Sequence, residues 1–254
     1  KNDMADAEAI CEAVTRPTMR FVPVKSAERQ GVLVLHRTRD LLMRQRTMLL
    51  NAVRGHLAEF GIIAPQGPSK ALELIAQLRE GAHEDLPDVA RTVLLGIGVQ
   101  LDALGTQIHD LERQLLAWHR QDEVSRRLET IPGVGILTAT ALAASVPDTS
   151  VFRSGRQFAA FLGLTPRQNS LGGKDKLGRI SKMGDGYLRR LLVIGATSVI
   201  RRAYTNPSAT GAWVRSLLTH KSKRLTTVAM ANKTARIAWA VMARGETYRA
   251  PVMA

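Results

Sequence analysis

Apolar positions along this chain recur at helical spacing over most of its length. Between residues 26 and 60 apolar pairs repeat seven apart, as Val34/Leu35, Leu41/Leu42 and Met48/Leu49, with Leu57 further along the same face. A seven-residue repeat predicts a long helix packed against another long helix. Arg37, Arg39, Arg44, Arg46 and Arg54 lie between the apolar pairs and read most simply as a solvated face, with a nucleic-acid-facing stripe as the second reading. Gly61 stops this helix, and Pro65, Gly67 and Pro68 mark a loop. Residues 69–80 predict a short amphipathic helix led by Ser69 and ended by Gly81. The strongest periodic signal follows Pro87: Leu94, Ile97, Leu101, Leu104, Ile108, Leu111, Leu115 and Trp118 alternate spacings of three and four. That pattern specifies a coiled-coil seam. The seam closes either on the 26–60 helix, as an antiparallel hairpin within one chain, or between subunits; periodicity does not choose. Gly96, Gly98 and Gly105 weaken the helix locally or permit close approach of a neighbour.

The ends of the chain are less regular. Residues 1–25 begin as a helix with Asn2 or Asp3 as N-cap. Asp3 and Asp6 lie three apart, hence on one helix face. Two carboxylates so placed can share a divalent cation such as Mg²⁺. The simpler reading of these residues alone is that acids complement the dipole in a first helical turn. With Pro17 and Pro23, residues 15–24 look extended, and 21–24 read as a short strand.

Further on, residues 125–130 predict a helix leading into Ile131-Pro132-Gly133-Val134-Gly135, and 137–144 predict another. Helix, Pro-Gly-x-Gly turn, helix is the pattern of a helix-hairpin-helix. There the turn amides, at Gly133 and Gly135, and the following helix N-terminus bind backbone phosphate without reading sequence. An ordinary αα-turn is the alternative. Residues 152–162 predict a further helix. From 167 to 182 the chain is glycine-rich and basic with no apolar period, as a loop or hairpin would be. Helices are expected at 187–202, 213–220 and 226–243, the last with Val228, Ala231, Ala235, Ala238 and Met242 on one side, and 221–224 form a basic turn.

Composition sharpens this picture. Apolar residues make up 45% of the chain and aromatics only 4%, which favours helices with an aliphatic core. The formal charge of +14 and a pI of about 10.8 point to nucleic acid or an acidic surface as partner. The charge is uneven: nine Lys or Arg against two acids, Asp175 and Asp185, fall between Arg153 and Arg190. The glycines of that stretch let a backbone approach a phosphate, and its cations neutralise one. One cysteine, Cys11, excludes a disulfide framework and a multi-cysteine zinc site. No uninterrupted apolar run spans a bilayer and no signal peptide is recognisable, so an intracellular soluble protein is expected. The chain opens on Lys1 rather than Met, as a fragment or processed chain would.

The run Pro166-Arg167-Gln168-Asn169-Ser170-Leu171-Gly172-Gly173-Lys174, followed by Leu177-Gly178-Arg179-Ile180-Ser181-Lys182-Met183-Gly184-Asp185 and Tyr187-Leu188-Arg189-Arg190-Leu191-Leu192, is far more specific than a hairpin turn. With it the chain resembles, from Lys1 onward, the transposases of the IS110 family of insertion sequences, and most closely its IS1111 subgroup. The resemblance implies a mainly α fold. It comprises the remnant of a RuvC-like α/β domain over 1–25, a long-helix coiled coil over 26–121, and a helical C-terminal transposase domain with helix-hairpin-helix and serine motif over 122–254. It makes Asp3 and Asp6 the last two carboxylates of an Asp-Glu-Asp-Asp set that binds Mg²⁺, the others belonging upstream. It makes Ser170 the remaining candidate nucleophile, because Leu171 replaces the second of a pair of small hydroxyl residues, and a nucleophile belonging at position 171 would leave the chain inactive; Ser181 is the weaker candidate. Arg167, Lys174, Arg179 and Lys182 would neutralise charge on the attacked phosphate. The implied partners are element-end and target DNA, a structured guide RNA, and further copies of the chain, as a dimer or tetramer joined through the coiled coil. The implied location is the bacterial cytoplasm, at the nucleoid. Three functions follow: an active recombinase subunit, a truncated fragment that binds nucleic acid and dimerises without cutting, or a helix-hairpin-helix DNA-binding module unrelated to recombination.

Overall fold

The computed structural model describes residues 2–250 apart from 18, 20, 22, 170–175 and 206. The chain divides into two compact units, Gln30–Glu123 and the combination of Lys1–Arg29 with Val124–Ala254.

The first unit is a helical hairpin with a short helix packed on it. Helix α2 (Ala27–Ala58) contributes all but its first turn, and α3 (Pro68–Arg79) and α4 (Asp88–Gln121) follow. Leu50, Val53 and Leu57 of α2 share one core with Ala71, Leu74, Ile75 and Leu78 of α3 and Leu94 and Leu101 of α4. At the other end of the pair, Arg39 Nε and Nη2 donate to Glu112 Oε1 at 2.8 and 2.6 Å. The end of α2 therefore meets the start of α4 and its start meets the end: the long helices run antiparallel within one chain. Leu94, Leu101, Ile108 and Leu115, seven apart, are the buried line of α4, while Ile97, Leu104, Leu111 and Trp118 are half-buried. Gly98 earns its place by proximity, since a Cβ there would lie 2.7 Å from Ile75 Cγ2. Arg91 closes the α3–α4 turn by donating to the carbonyls of Leu78, Ala82 and His83 at 3.1, 3.0 and 2.7 Å.

The face of α2 differs from the one the heptad pairs suggest. Its buried residues are Val32, His36, Leu50, Val53 and Leu57, while Val34, Leu41 and Met48 are exposed. Adjacent residues on a helix point about 100° apart, so one partner helix covers only one member of each apolar pair. Helix α4 passes the length and composition test for crossing a membrane. Its apolar line, however, packs on α2 and α3, and Arg79 of α3 pairs with its Asp102 at 2.5 Å.

The second unit opens with α1 (Asp3–Thr15), capped by Asn2, whose side chain accepts from Met4 N. None of its residues is buried. The strand expected at 21–24 is not formed by its described residues, Phe21, Pro23 and Val24. No described strand lies beside them to pair with, and Pro23 has no N–H to give. After the first unit come α5 (Glu123–Glu129), α6 (Ile136–Ser145), α7 (Gly155–Phe161), β1 (Pro166–Gln168), β2 (Leu177–Ile180), α8 (Gly186–Arg201), α9 (Ala209–Leu218) and α10 (Lys223–Arg244). Helix α10 is the central element and packs on α7, α8 and α9, and α6 packs on α8. Its inward line is Thr227, Met230, Ala231, Thr234, Ala235, Ala238 and Val241. Small side chains there let neighbouring helix backbones come close: a Cβ on Gly155 of α7 would lie 3.0 Å from Arg236 O. Phe158, Leu162, Leu164, Leu188 and Leu192 complete the core.

Candidate nucleic-acid interface

The basic glycine-rich stretch folds as an antiparallel hairpin, with Pro166 opposite Ile180 and Gln168 opposite Leu177. Both strands are exposed along almost their whole length, so the hairpin is held at its base. Ser181 N donates to Thr165 O at 2.8 Å and Lys182 N to Gly163 O at 3.1 Å. Arg189 of α8 reaches back to the carbonyls of Leu162 and Met183 at 3.1 and 3.2 Å. Gly184 has φ +83°, and a Cβ on it would sit 1.9 Å from Phe161 O; here only glycine fits. Lys182 also adopts a left-handed backbone, φ +56°, which a lysine adopts at a cost. Asp185 then caps α8, its Oδ1 accepting from Tyr187 N and Leu188 N at 2.8 and 3.0 Å.

One flank of the hairpin forms a wall of an open cleft of about 1630 Å³. The facing walls are the N-terminus of α7, Trp213 of α9 and the outer face of α10. Arg156, Arg179, Lys182, Arg224, Lys233 and Arg236 line it, and no acidic residue does among the described residues. None of these six cations forms an ion pair among the described residues. Lys233 Nζ stands 4.1 Å from the centre of the Trp213 ring. Burial first, and then the nearby Arg236 charge, hold its pKa below the ordinary lysine value. Trp239 is the second aromatic residue in the cleft, and its Nε1 is buried without a hydrogen-bond partner. Asn232 bridges α10 to the base of the hairpin, donating from Nδ2 to Leu164 O at 3.1 Å.

The sequence-derived residues thus separate into groups. Arg179 and Lys182 meet on the cleft. Arg167 turns to the hairpin base and donates to Ser181 O at 3.1 Å. Ser170, Leu171 and Lys174 lie outside the described residues. Gly133 and Gly135 do not line the cleft, and the turn that carries them packs elsewhere: a Cβ on Gly133, φ +84°, would meet Gly195 O of α8 at 2.8 Å. Gly133 is therefore required by helix packing, while Gly135 faces open space and caps α6 without a side-chain bond to its first amides. Asp3 and Asp6 are exposed in the first turn of α1. Their carboxylates are the hard oxygen donors Mg²⁺ prefers, but no group of three or more His, Cys, Asp or Glu suited to a metal occurs among the described residues.

Arg156, Trp213, Arg224, Lys233, Arg236 and Trp239 escaped the sequence reading. A signal existed: Leu225, Ala229, Asn232, Arg236 and Ala240 recur at spacings of three and four, on the side of α10 away from its buried line. That side carries three cations and no acid, counting Arg224, Lys233 and Arg236.

Residues 125–211 match the family model described as the transposase IS116/IS110/IS902 family. Over 98% of its length the chain is 47% identical to a protein of Sinorhizobium fredii that is named as a transposase, covering 64% of that protein. It is 40% identical to the transposase for insertion sequence element IS1328 of Yersinia enterocolitica, covering 98% of this chain and 73% of that one. The transposase for insertion sequence element IS1111A of Coxiella burnetii is 39% identical, again over 98% of this chain and 68% of the relative. The chain thus spans roughly two thirds to three quarters of these relatives, and just under two thirds of the first.

Proposed function

This chain belongs to the IS116/IS110/IS902 family of transposases, and on that premise we propose that it acts in DNA strand cleavage and exchange through a serine nucleophile, guided by a structured RNA. The observation that carries the reading is the exposed hairpin whose Arg179 and Lys182 open onto a cleft lined by six cations, with Ser170 in the segment joining its two strands.

In this reading Ser170 Oγ attacks a DNA phosphorus in line. The new Oγ–P bond forms as the P–O bond to the leaving deoxyribose oxygen breaks. The serine proton passes to a base or to solvent, and the leaving oxygen takes up a proton. A hydroxyl from the exchanged strand then attacks the phosphoserine and regenerates the serine, so no bond energy has to be supplied. Arg179 and Lys182, with Arg167 and Lys174, neutralise the charge on the phosphoryl oxygens. Mg²⁺ held by Asp3 and Asp6, with ligands from beyond this chain, would supply Lewis-acid activation of the reacting oxygens. Self-association uses the stripe Val34, Leu41 and Met48, which α4 leaves exposed.

A second reading has its own support. With two carboxylates and no larger ligand cluster among the described residues, the chain alone binds nucleic acid without cutting it. Covalent trapping separates the two. Protein, Mg²⁺, element-end DNA and guide RNA are quenched in detergent, with the chain as it stands and with one extended to its relatives' length. An adduct that Ser170→Ala abolishes supports the serine mechanism; an adduct that survives it moves the nucleophile, first to Ser181. An adduct from the longer chain alone supports the second reading for this one, and no adduct from either refutes serine-mediated cleavage.

A further inference from the structure

We propose that the cleft between the hairpin and α10 is a seat for an unpaired nucleic-acid strand, its phosphates held by the basic rim and one base lodged against Trp213 and Trp239. The inference rests on the reading of the chain as a nucleic-acid enzyme and adds the form of strand that one named site takes.

Size excludes the simplest alternative. Small-molecule pockets enclose roughly 300–1,000 Å³; this cleft, at about 1630 Å³ and open along one side, suits a segment of polymer. Charge selects a polyanion, because six cations and, among the described residues, no acid line the cleft. The depressed pKa of Lys233 has the same origin, an ammonium partly withdrawn from water beside another cation. The N-terminus of α10, capped by Ser222, opens at one edge and adds the positive end of a 22-residue helix.

The floor distinguishes an unpaired strand from a duplex. A duplex offers phosphates and groove edges and hides its base faces. A site built for it needs cations and polar donors but no aromatic floor. The chain has three tryptophans, and two of them line this one cleft together with Ile180, Leu225, Val228 and Ile237. Cations beside exposed aromatic faces are the arrangement that holds single strands, through stacking that tolerates any base. One hydrogen-bonding group also waits there: Asn232 has given only its Nδ2 to the protein, leaving Oδ1 to accept from a base amine. In sequence the cleft-lining β2 begins two residues after the 170–175 segment that carries Ser170. A strand opened for cleavage has its bases exposed, and the cleft would hold it open.

Fluorescence anisotropy with labelled dT12 and with a 12-base-pair duplex tests this in the intact chain. Arg224→Glu with Arg236→Glu reverses two exposed rim charges, Trp213→Leu removes stacking area, and Arg120→Glu on α4 controls for net charge. Circular dichroism confirms folding of each variant. The rim pair is expected to weaken dT12 by at least about tenfold. Trp213→Leu should weaken it by about fivefold or more, with duplex binding held within about twofold. Tryptophan emission should be quenched as dT12 binds. Equal losses for duplex and dT12 would assign the cleft to duplex DNA and overturn the inference, as would dT12 binding that neither variant changes. If the chain traps a covalent adduct while dT12 ignores the cleft, this inference falls and the serine mechanism stands. If dT12 needs the cleft but no adduct forms even in the longer chain, the mechanism falls and the seat stands.

Discussion

Gly133 and Gly195 meet backbone to backbone: a Cβ on Gly195 would lie 1.9 Å from Gly133 O, and one on Gly133 would lie 2.8 Å from Gly195 O. The Pro-Gly-x-Gly turn is thereby locked onto α8. Gly195→Ala is expected to destabilise the C-terminal unit by about 1–3 kcal/mol, the usual range for forcing a methyl into a filled core. Gly135→Ala, in open space, should cost much less. Urea denaturation of the two variants checks the difference. Equal midpoints would show that α6 and α8 separate freely at this contact.

The same pair of variants separates packing from phosphate binding. If the α6 amides hold a DNA backbone, Gly135→Ala should lower duplex affinity by a few-fold while leaving the unfolding midpoint near wild type. Unchanged affinity at low salt would reduce this motif to an ordinary turn between helices.

His36 predicts a pH response in the helical-hairpin unit. It is 1% exposed, and burial, aided by the nearby Arg39 charge, lowers its pKa from 6.5 to about 4. The native state holds it neutral, so between about pH 4 and 6.5 the unfolded chain binds the extra proton. The stabilisation is complete above pH 6.5 and is lost as the pH falls to about 4, with an upper bound of about 3 kcal/mol. Denaturation midpoints taken between pH 7 and 4.5 should fall, and His36→Gln should flatten that fall. A slope indifferent to His36→Gln would assign the acid sensitivity to other groups.

Arg91 spans three carbonyls at the end of α3 and in the turn that follows it. Arg91→Met keeps much of the stem and removes the donors. It should destabilise the unit by about 1–3 kcal/mol, seen as a lower melting temperature, whereas Arg113→Met on the exposed side of α4 should leave it nearly unchanged.

Met48→Glu tests the exposed stripe on α2. Sedimentation velocity should show concentration-dependent association in the wild type and a shift toward monomer in the variant. A wild type that stays monomeric at high concentration would remove Val34, Leu41 and Met48 from any account of assembly.

The sequence by itself determined the helices, because helix formation depends on local spacing. The 94–118 repeat, the breaks at Gly61 and Gly81 and the caps at Asn2 and Asp185 all act over a few residues. It also marked the family through one contiguous run, Pro166 to Leu192, and singled out Arg179 and Lys182, which both line the cleft. Only the tertiary structure decided what depends on residues far apart in the chain. The 94–118 seam packs within one chain, Leu94 and Leu101 in one core with Leu50, Val53 and Leu57, whereas periodicity is the same for either partner. The strand expected at 21–24 has no described strand to pair with, since β1 and β2 pair with each other, and a β-strand is a property of a pair. The close approach of Gly133 to Gly195, 62 positions away, could not be read from the turn motif. The cleft gathers Arg156, Arg179, Trp213, Lys233 and Trp239 from four elements. No short window holds such a set, because a surface is assembled by packing, and packing joins what the chain keeps apart.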